Sequence, residues 1–176
     1  MTFEEFTHTV VEFVRTNQAW APLIVAGLAF GESLAFISLL LPATVILVAV
    51  GALIGATGIQ FVPIMVSAAL GAALGDWVSY WLGLKFEHTI AKMWPLSRHP
   101  DMMPRGHAFV ERWGFYAVFI GRFFGPLRAS VPLAAGILEM PWWPFQIANF
   151  TSAFLWAFML LTLGDGITVL FRWLLS

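Results

Sequence analysis

Residues 115–140 read FYAVFIGRFFGPLRASVPLAAGILEM, and the two arginines inside this apolar stretch, Arg122 and Arg128, decide how the chain must fold. At the centre of a membrane-spanning helix an arginine costs roughly 2.5 to 3.5 kcal/mol on insertion scales, so each must face a partner charge, water or a ligand. On an unbroken helix, positions six apart point about 240° from one another, which would put the two guanidiniums on different faces. Gly125-Pro126 lies between them and removes that constraint. Residues 114–140 are therefore expected to form a broken, re-entrant hairpin that carries two charges into the protein interior.

The rest of the chain has the composition such an element needs. With 60% hydrophobic residues, 11% charged and nine Trp in 176 residues, and a mean hydropathy of +0.83, polar side chains could not cover a soluble domain. The expectation is a single all-α integral membrane domain over residues 1–176. No cysteine is present, which excludes disulfides, thiolate chemistry and Cys-ligated metals. The net charge of −1 selects no partner. In residues 2–17, Phe3, Phe6, Val10, Phe13 and Val14 recur at helical spacing among Glu4, Glu5 and Glu12, the pattern of an interfacial amphipathic helix. Those acids are the reverse of a basic signal-peptide leader, so no cleavage is expected.

Residues 20–56 are apolar except at Gly31-Glu32-Ser33 and Leu41-Pro42-Ala43-Thr44. A span needs about 20 residues, and two full spans would leave no room for a polar turn, so a first broken hairpin is the better reading. Irregular backbone at membrane depth survives only against protein or a water-filled cavity, so Glu32 and Pro42 are expected to face inward. Residues 60–83 form the cleanest spanning helix. Ser67, Gly71, Gly75, Ser79 and Gly83 repeat along it every fourth residue, a packing seam that also offers a homodimer face. Asp76 lies about 100° round the helix from that stripe, where it either reaches into the interior or keeps its charge in interfacial water.

Lys85, Lys92, Arg98, Arg105 and Arg112 place five of the nine basic residues in segment 84–113, which the positive-inside rule assigns to the cytoplasm. Pro95, Pro100 and Pro104 divide this loop, and 106–113 reads as a second interfacial helix. The spacings of His88, His99 and His107 match no compact metal-ligand pattern, so no metal is expected. Pro141-Trp142-Trp143-Pro144 then supplies an interfacial aromatic belt. A last span over 142–164 should end at Gly164-Asp165-Gly166, with Asp165 in water, before a short tail with Arg172.

The halves echo one another. Glu32 precedes Pro42 by the same interval as Arg122 precedes Pro132, although Pro126 can equally be aligned with Pro42. A single span between two broken elements turns the second upside down, giving the inverted repeat of a transporter whose discontinuous elements meet near the midplane.

GESLAFISLLLPATVILVAVGALIG at 31–55, GAALGDWVSYWLG at 71–83 and FIGRFFGPLRASVPLAAGILEMP at 119–141 resemble the DedA family of bacterial inner-membrane proteins, part of the VTT, or SNARE-associated, superfamily. The resemblance covers residues 20–165, and its most specific part is G-R-F-x-G-P-x-R followed by P-L-x-A-G. It implies two opposed re-entrant hairpins, an inner-membrane location, and movement of polyprenyl (undecaprenyl) phosphate or phospholipid across the bilayer, proton- or cation-coupled in some members. It also implies that Glu32 is the essential membrane acid and that Arg122 and Arg128 are the essential arginines. Many members carry an acid two residues after the proline of the first hairpin, where this chain has Thr44, so two-acid proton coupling is in question unless Asp76 substitutes.

The residues themselves fit a lipid phosphate. Glu32 can neutralise one arginine and leave the other to grip a phosphate through its planar fork, and helix N-termini at Pro42 and Pro126 would add donors. Pro42, Gly125, Pro126 and Pro132 read as hinges or hairpin shapers. Three other readings stay open: Glu32 and an arginine as a purely structural buried pair, a scaffold for other membrane proteins, and an intramembrane lipid phosphatase using Ser97, Arg98, His99 or His107 with Asp101. The preferred expectation is a transporter with no enzymatic activity, no cofactor and no nucleic-acid partner.

Overall fold

The computed structural model describes residues 5, 9, 12–13, 16–17, 19–34, 43–57, 60–91 and 102–175, and every regular element among them is helical. They form α1 (Ala21–Ser33), α2 (Ala43–Thr57), α3 (Phe61–Ala91), α4 (Met102–Gly121), α5 (Gly125–Ile137) and α6 (Trp142–Leu175). Five of the six helices carry a proline inside their first turn, Pro22, Pro63, Pro104, Pro126 and Pro144, where the missing N–H has no partner to lose. In the region of 2–17, Glu5, Thr9, Glu12, Phe13 and Thr16 are helical, with Thr9 Oγ1 donating to the Glu5 carbonyl at 2.7 Å. The rest of that expected helix lies outside the described residues.

The helices divide by length. α3 and α6 contain apolar segments of 26 residues (Phe61–Phe86) and 25 residues (Trp142–Gly166), longer than the roughly 20 a bilayer requires. α1, α2 and α5 have 13, 15 and 13 residues and reach only about 20 Å. Short helices thus lie on both sides of the first break and follow the second, at the two places where the sequence interrupts its apolar runs. The first break begins at Leu34, which leaves the helix with φ −77° and ψ 128°; Pro42 lies outside the described residues. The second is the turn 122–124, closed by the Phe123 and Phe124 amides on the Ile120 and Gly121 carbonyls at 3.0 and 3.2 Å.

Several boundaries differ from the sequence reading. Gly125 and Pro126 do not form the second break but open α5 immediately after it, and Pro132 lies inside α5 rather than at a hinge between elements. α3 runs on past Gly83 to Ala91, helped by Lys85 Nζ 4.9 Å from the Trp81 ring. The expected interfacial helix 106–113 is continuous with the arm that follows it, because Gly114 is packed against the Met140 side chain and does not break α4. Gly164-Asp165-Gly166 does not end the last helix. A Cβ on Gly164 would lie 2.0 Å from the Val48 carbonyl oxygen, so this glycine permits a helix crossing and is no cap.

The small-residue seam is filled from within the chain. A Cβ on Gly71 would meet the Ala26 carbonyl oxygen at 2.2 Å, one on Gly75 the Phe30 carbonyl oxygen at 2.5 Å, and one on Gly83 the Leu133 carbonyl oxygen at 2.3 Å. The Ser79 hydroxyl donates to the Ser33 carbonyl at 3.2 Å. α1 and α5 therefore pack on Gly71, Gly75, Ser79 and Gly83 of the face that the sequence offered to a second copy. Backbones can approach this closely only where side chains are absent.

Two apolar clusters result. One joins α1 and α2 to Ala68, Ala69, Ala72 and Ala73 of α3 and to Ala153, Trp156, Ala157 and Leu161 of α6. The other gathers Tyr80, Val118, Ala135, Met140, Phe145 and Ala148. Along α3 the chain passes from the first cluster to the second, and along α6 from the second to the first, so these two helices run antiparallel. Between the clusters both helices turn polar.

Candidate functional site: a buried layer of paired charges

The polar layer is built by all six helices. Glu32 and Ser33 end α1, Thr44 opens α2, Asp76 is central in α3, Arg122 follows the end of α4, Arg128 sits in the first turn of α5, and Gln146, Asn149 and Ser152 form a stripe on α6. Glu32, Asp76, Arg122 and Arg128 are 8%, 2%, 3% and 5% exposed. Charges this deep survive only if paired.

They are paired across elements. Arg122 bonds Asp76 through Nη2, and the same nitrogen donates to Asn149 Oδ1 at 2.6 Å while Nε donates to Ser152 Oγ at 3.0 Å. Asn149 is itself held by its Nδ2 on the Ala73 carbonyl at 2.9 Å. Arg128 Nη1 lies 2.9 Å from Glu32 Oε2, Arg128 Nη2 donates to Ser33 Oγ at 3.2 Å, and the guanidinium stacks 4.0 Å from the Trp156 ring centroid. Glu32 Oε1 accepts from Thr44 twice, from the backbone N–H at 3.2 Å and the hydroxyl at 2.7 Å. That carboxylate thus caps the N-terminus of α2, where the helix dipole favours an anion.

The sequence reading placed Glu32, Thr44, Asp76, Arg122 and Arg128 as separate candidates, and the structure brings all five together. Asp76 faces inward, not interfacial water. It is also the partner that the expected scheme lacked: Glu32 was expected to neutralise one arginine and leave the other free, whereas each arginine has its own acid. Asn149, Ser152, Gln146, Ser33 and Trp156 were missed. The α6 residues carried a legible signal, since polar residues at 146, 149 and 152 repeat every third position on one face of an otherwise apolar span.

Charge balance is not full satisfaction. Arg122 Nη1, Arg128 Nε and Gln146 Nε2 are buried donors, and Asp76 Oδ1 a buried acceptor, without a hydrogen-bond partner. Each such orphan costs about 1–3 kcal/mol, more when charged, and four of them fall in this one layer. Among the described residues no group of three or more His, Asp or Glu could hold a metal. Ser97, Arg98, His99 and Asp101 lie outside the described residues, so the phosphatase constellation has no geometry to assess.

The sequence profile of the VTT domain matches residues 41–166, which is most of the chain. The chain belongs to the VTT-domain (DedA) family of membrane proteins. It is 31% identical over 144 residues to the inner membrane protein YabI of Escherichia coli K12, covering 82% of this chain and 57% of YabI. It is 29% identical over 147 residues to the uncharacterized membrane protein BU139 of Buchnera aphidicola, with 84% and 57% covered. The inner membrane protein YghB of Escherichia coli K12 is 30% identical over 134 residues, with 74% and 60% covered. This family and these names place the chain in the bacterial inner membrane, and it spans less than two thirds of the relatives' length. No solved structure matches it at a significant level.

Proposed function

We propose that this VTT-domain protein moves the phosphate-bearing headgroup of a lipid across the inner membrane, with the layer of Glu32, Asp76, Arg122 and Arg128 as its transit site. The observation that carries this reading is the pairing of two membrane-buried arginines with acids from other helices, beside donors that have no partner. A lipid phosphate brings acceptor oxygens in an arrangement that the free Arg122 Nη1 and Arg128 Nε can grip, and a guanidinium fork suits them better than an ammonium. On arrival the phosphate competes with the carboxylates for the arginines, and the carboxylate it displaces must take up a proton or a cation for the layer to stay neutral. Polyprenyl phosphate is the preferred substrate, because a monophosphate headgroup is small and fits a site of two arginines; phospholipid is the alternative.

The same reading makes α1–α2 and α4–α5 re-entrant hairpins of an inverted repeat. Supporting it, Pro63 and Pro144 are both third in their helices, and the crossings are reciprocal. Gly51 of α2 packs on α6 while Gly164 of α6 packs on α2, and Gly83 of α3 packs on α5 while Gly136 of α5 packs on α3. α1 and α4 likewise pack on the long helices α3 and α6. This favours aligning Pro42, which immediately precedes α2 in the sequence, with Pro126 in the first turn of α5. Apolar side chains exposed on the long helices, such as Trp77, Trp81, Phe158 and Leu163, suit a lipid-facing exterior.

Proteoliposomes carrying labelled polyprenyl phosphate or labelled phosphatidylethanolamine provide the test. Headgroup movement should require Arg122, and Arg122→Lys should be impaired because a point charge lacks the fork. Equal movement of both lipids would make the protein a general scramblase. No movement with folded wild-type protein would reject transport.

A further inference from the structure

Away from the charged layer, a cavity of about 460 Å³ opens where α4 meets the turn between α5 and α6. Three charged side chains line it: Glu111 and Arg112 from α4, and Glu139 from the turn. All three are exposed. Arg112 rests 5.8 Å from the Trp113 ring, and among the described residues no ion pair joins it to either acid. Trp113, Trp142 and Trp143 stand exposed around the same end of the bundle, and exposed tryptophans mark the headgroup level of a bilayer. The cavity therefore sits at headgroup depth.

Tyr116 connects it to an apolar groove of about 480 Å³ on the lipid-facing side of α4, which continues past Ile120 to Phe124 and Val131. From Trp113 to Gly121 the groove follows about 12 Å of helix, most of the roughly 15 Å depth of one leaflet's hydrocarbon. A polar recess at the interface leading into an apolar track of this length has the shape of a lipid.

Glu139 is the informative residue. Its φ of 49° is the left-handed conformation that follows a helix and that glycine ordinarily supplies. A glutamate there is held by its amide on the Gly136 carbonyl at 3.0 Å and by the following Met140 amide on the Ala135 carbonyl at 2.9 Å. The backbone requirement alone would be met by glycine, so the side chain is what distinguishes this choice.

We propose that this recess docks the headgroup of a zwitterionic phospholipid bearing a primary amine, with the phosphate on Arg112, the ammonium on Glu111 and Glu139, and an acyl chain along the groove from Tyr116 to Phe124. The charge pattern selects the class. One guanidinium and two carboxylates repel a purely anionic headgroup and complement one that carries both signs. A primary ammonium offers three N–H donors to the two carboxylates, whereas a quaternary amine offers none. The site is separate from the buried arginine layer, and lipid binding there stands or falls without the transport reading.

Native mass spectrometry of the detergent-purified chain with equal amounts of phosphatidylethanolamine, phosphatidylcholine and phosphatidylglycerol tests it. The ethanolamine lipid should be retained about tenfold over the other two, the factor one charge-assisted contact supplies. Glu139→Gly relaxes the backbone, so the fold is kept while the preference should fall toward parity; Glu111→Gln should lower it further, and Arg112→Ala should weaken retention of all three lipids. Equal retention in the wild type, a preference for phosphatidylglycerol, or an unchanged preference in Glu139→Gly with Glu111→Gln would overturn the proposal.

Discussion

Replacing both members of one buried ion pair separates a transport site from a structural clamp. Arg122→Ala alone leaves Asp76, 2% exposed, without its partner, and breaking such a pair from one side costs about 3–5 kcal/mol. Against a total stability of about 5–15 kcal/mol that is a large fraction, and at about 2–4 °C per kcal/mol for a chain of this size the melting temperature should fall by roughly 6–20 °C. Loss of transport in that variant would therefore be ambiguous. Asp76→Asn with Arg122→Gln removes both charges and keeps hydrogen-bonding side chains of similar volume beside Asn149 and Ser152. The double variant should recover most of the melting temperature, because no lone charge stays buried. Its transport of labelled polyprenyl phosphate in proteoliposomes should stay at background, because no fork remains at that position. Recovery of wild-type transport together with stability would refute the reasoning and leave Arg122 and Asp76 as a structural pair.

Gly71→Ala places a methyl 2.2 Å from the Ala26 carbonyl oxygen and should sharply reduce the yield of folded protein on size-exclusion chromatography, whereas Gly27→Ala, with nothing within 4 Å, should be neutral or slightly stabilising. Thr44→Asp adds a third carboxylate to a layer balanced at two against two, so the site must take up a proton or a cation; transport measured across a pH series should depend on pH more steeply than in the wild type, and identical profiles would mean that the charge balance of the layer does not govern transport.

The membrane class, the two long helices and the interruption of both shorter apolar runs were legible because each rests on local properties: hydropathy, length, and where Gly, Pro and charge fall. The identity of the important charges was legible for the same reason, since no apolar segment carries Glu32, Asp76, Arg122 or Arg128 without a partner. Which acid serves which arginine was not. Asp76 and Arg122 are 46 positions apart, and pairing over that distance is fixed by how α3 and α4 each pack against α5 and α6, not by either segment alone. The glycines show the same limit. A small-residue stripe announces that a backbone will come close but not whose, so Gly71 and Gly75 fitted a second copy as well as they fit α1. Gly164-Asp165-Gly166 resembled a helix end because glycine often caps one, while its real work, a close crossing with α2, depends on a segment over a hundred residues earlier.

The arrangement of the pairs constrains how any movement could occur. Glu32–Arg128 ties the end of α1 to the start of α5, and Arg122–Asp76 ties the end of α4 to the middle of α3. Of the two pairs only Glu32–Arg128 joins the two broken elements directly, and on the proposed function both pairs are bonds that a phosphate must compete for. A site holding one arginine free would bind an anion tightly and release it slowly, since a lone desolvated cation gains most from its first partner. With both arginines already neutralised, an arriving phosphate releases a carboxylate that stays buried in the layer, so it binds less tightly than at a free arginine and passage requires that carboxylate to take up a proton or a cation. Glu32 is the less movable acid, because Thr44 holds Oε1 through two hydrogen bonds. Asp76 keeps Oδ1 without a partner. Exchange is accordingly expected to begin at Arg122, with the Glu32–Arg128 pair keeping α1, α2 and α5 together while it happens.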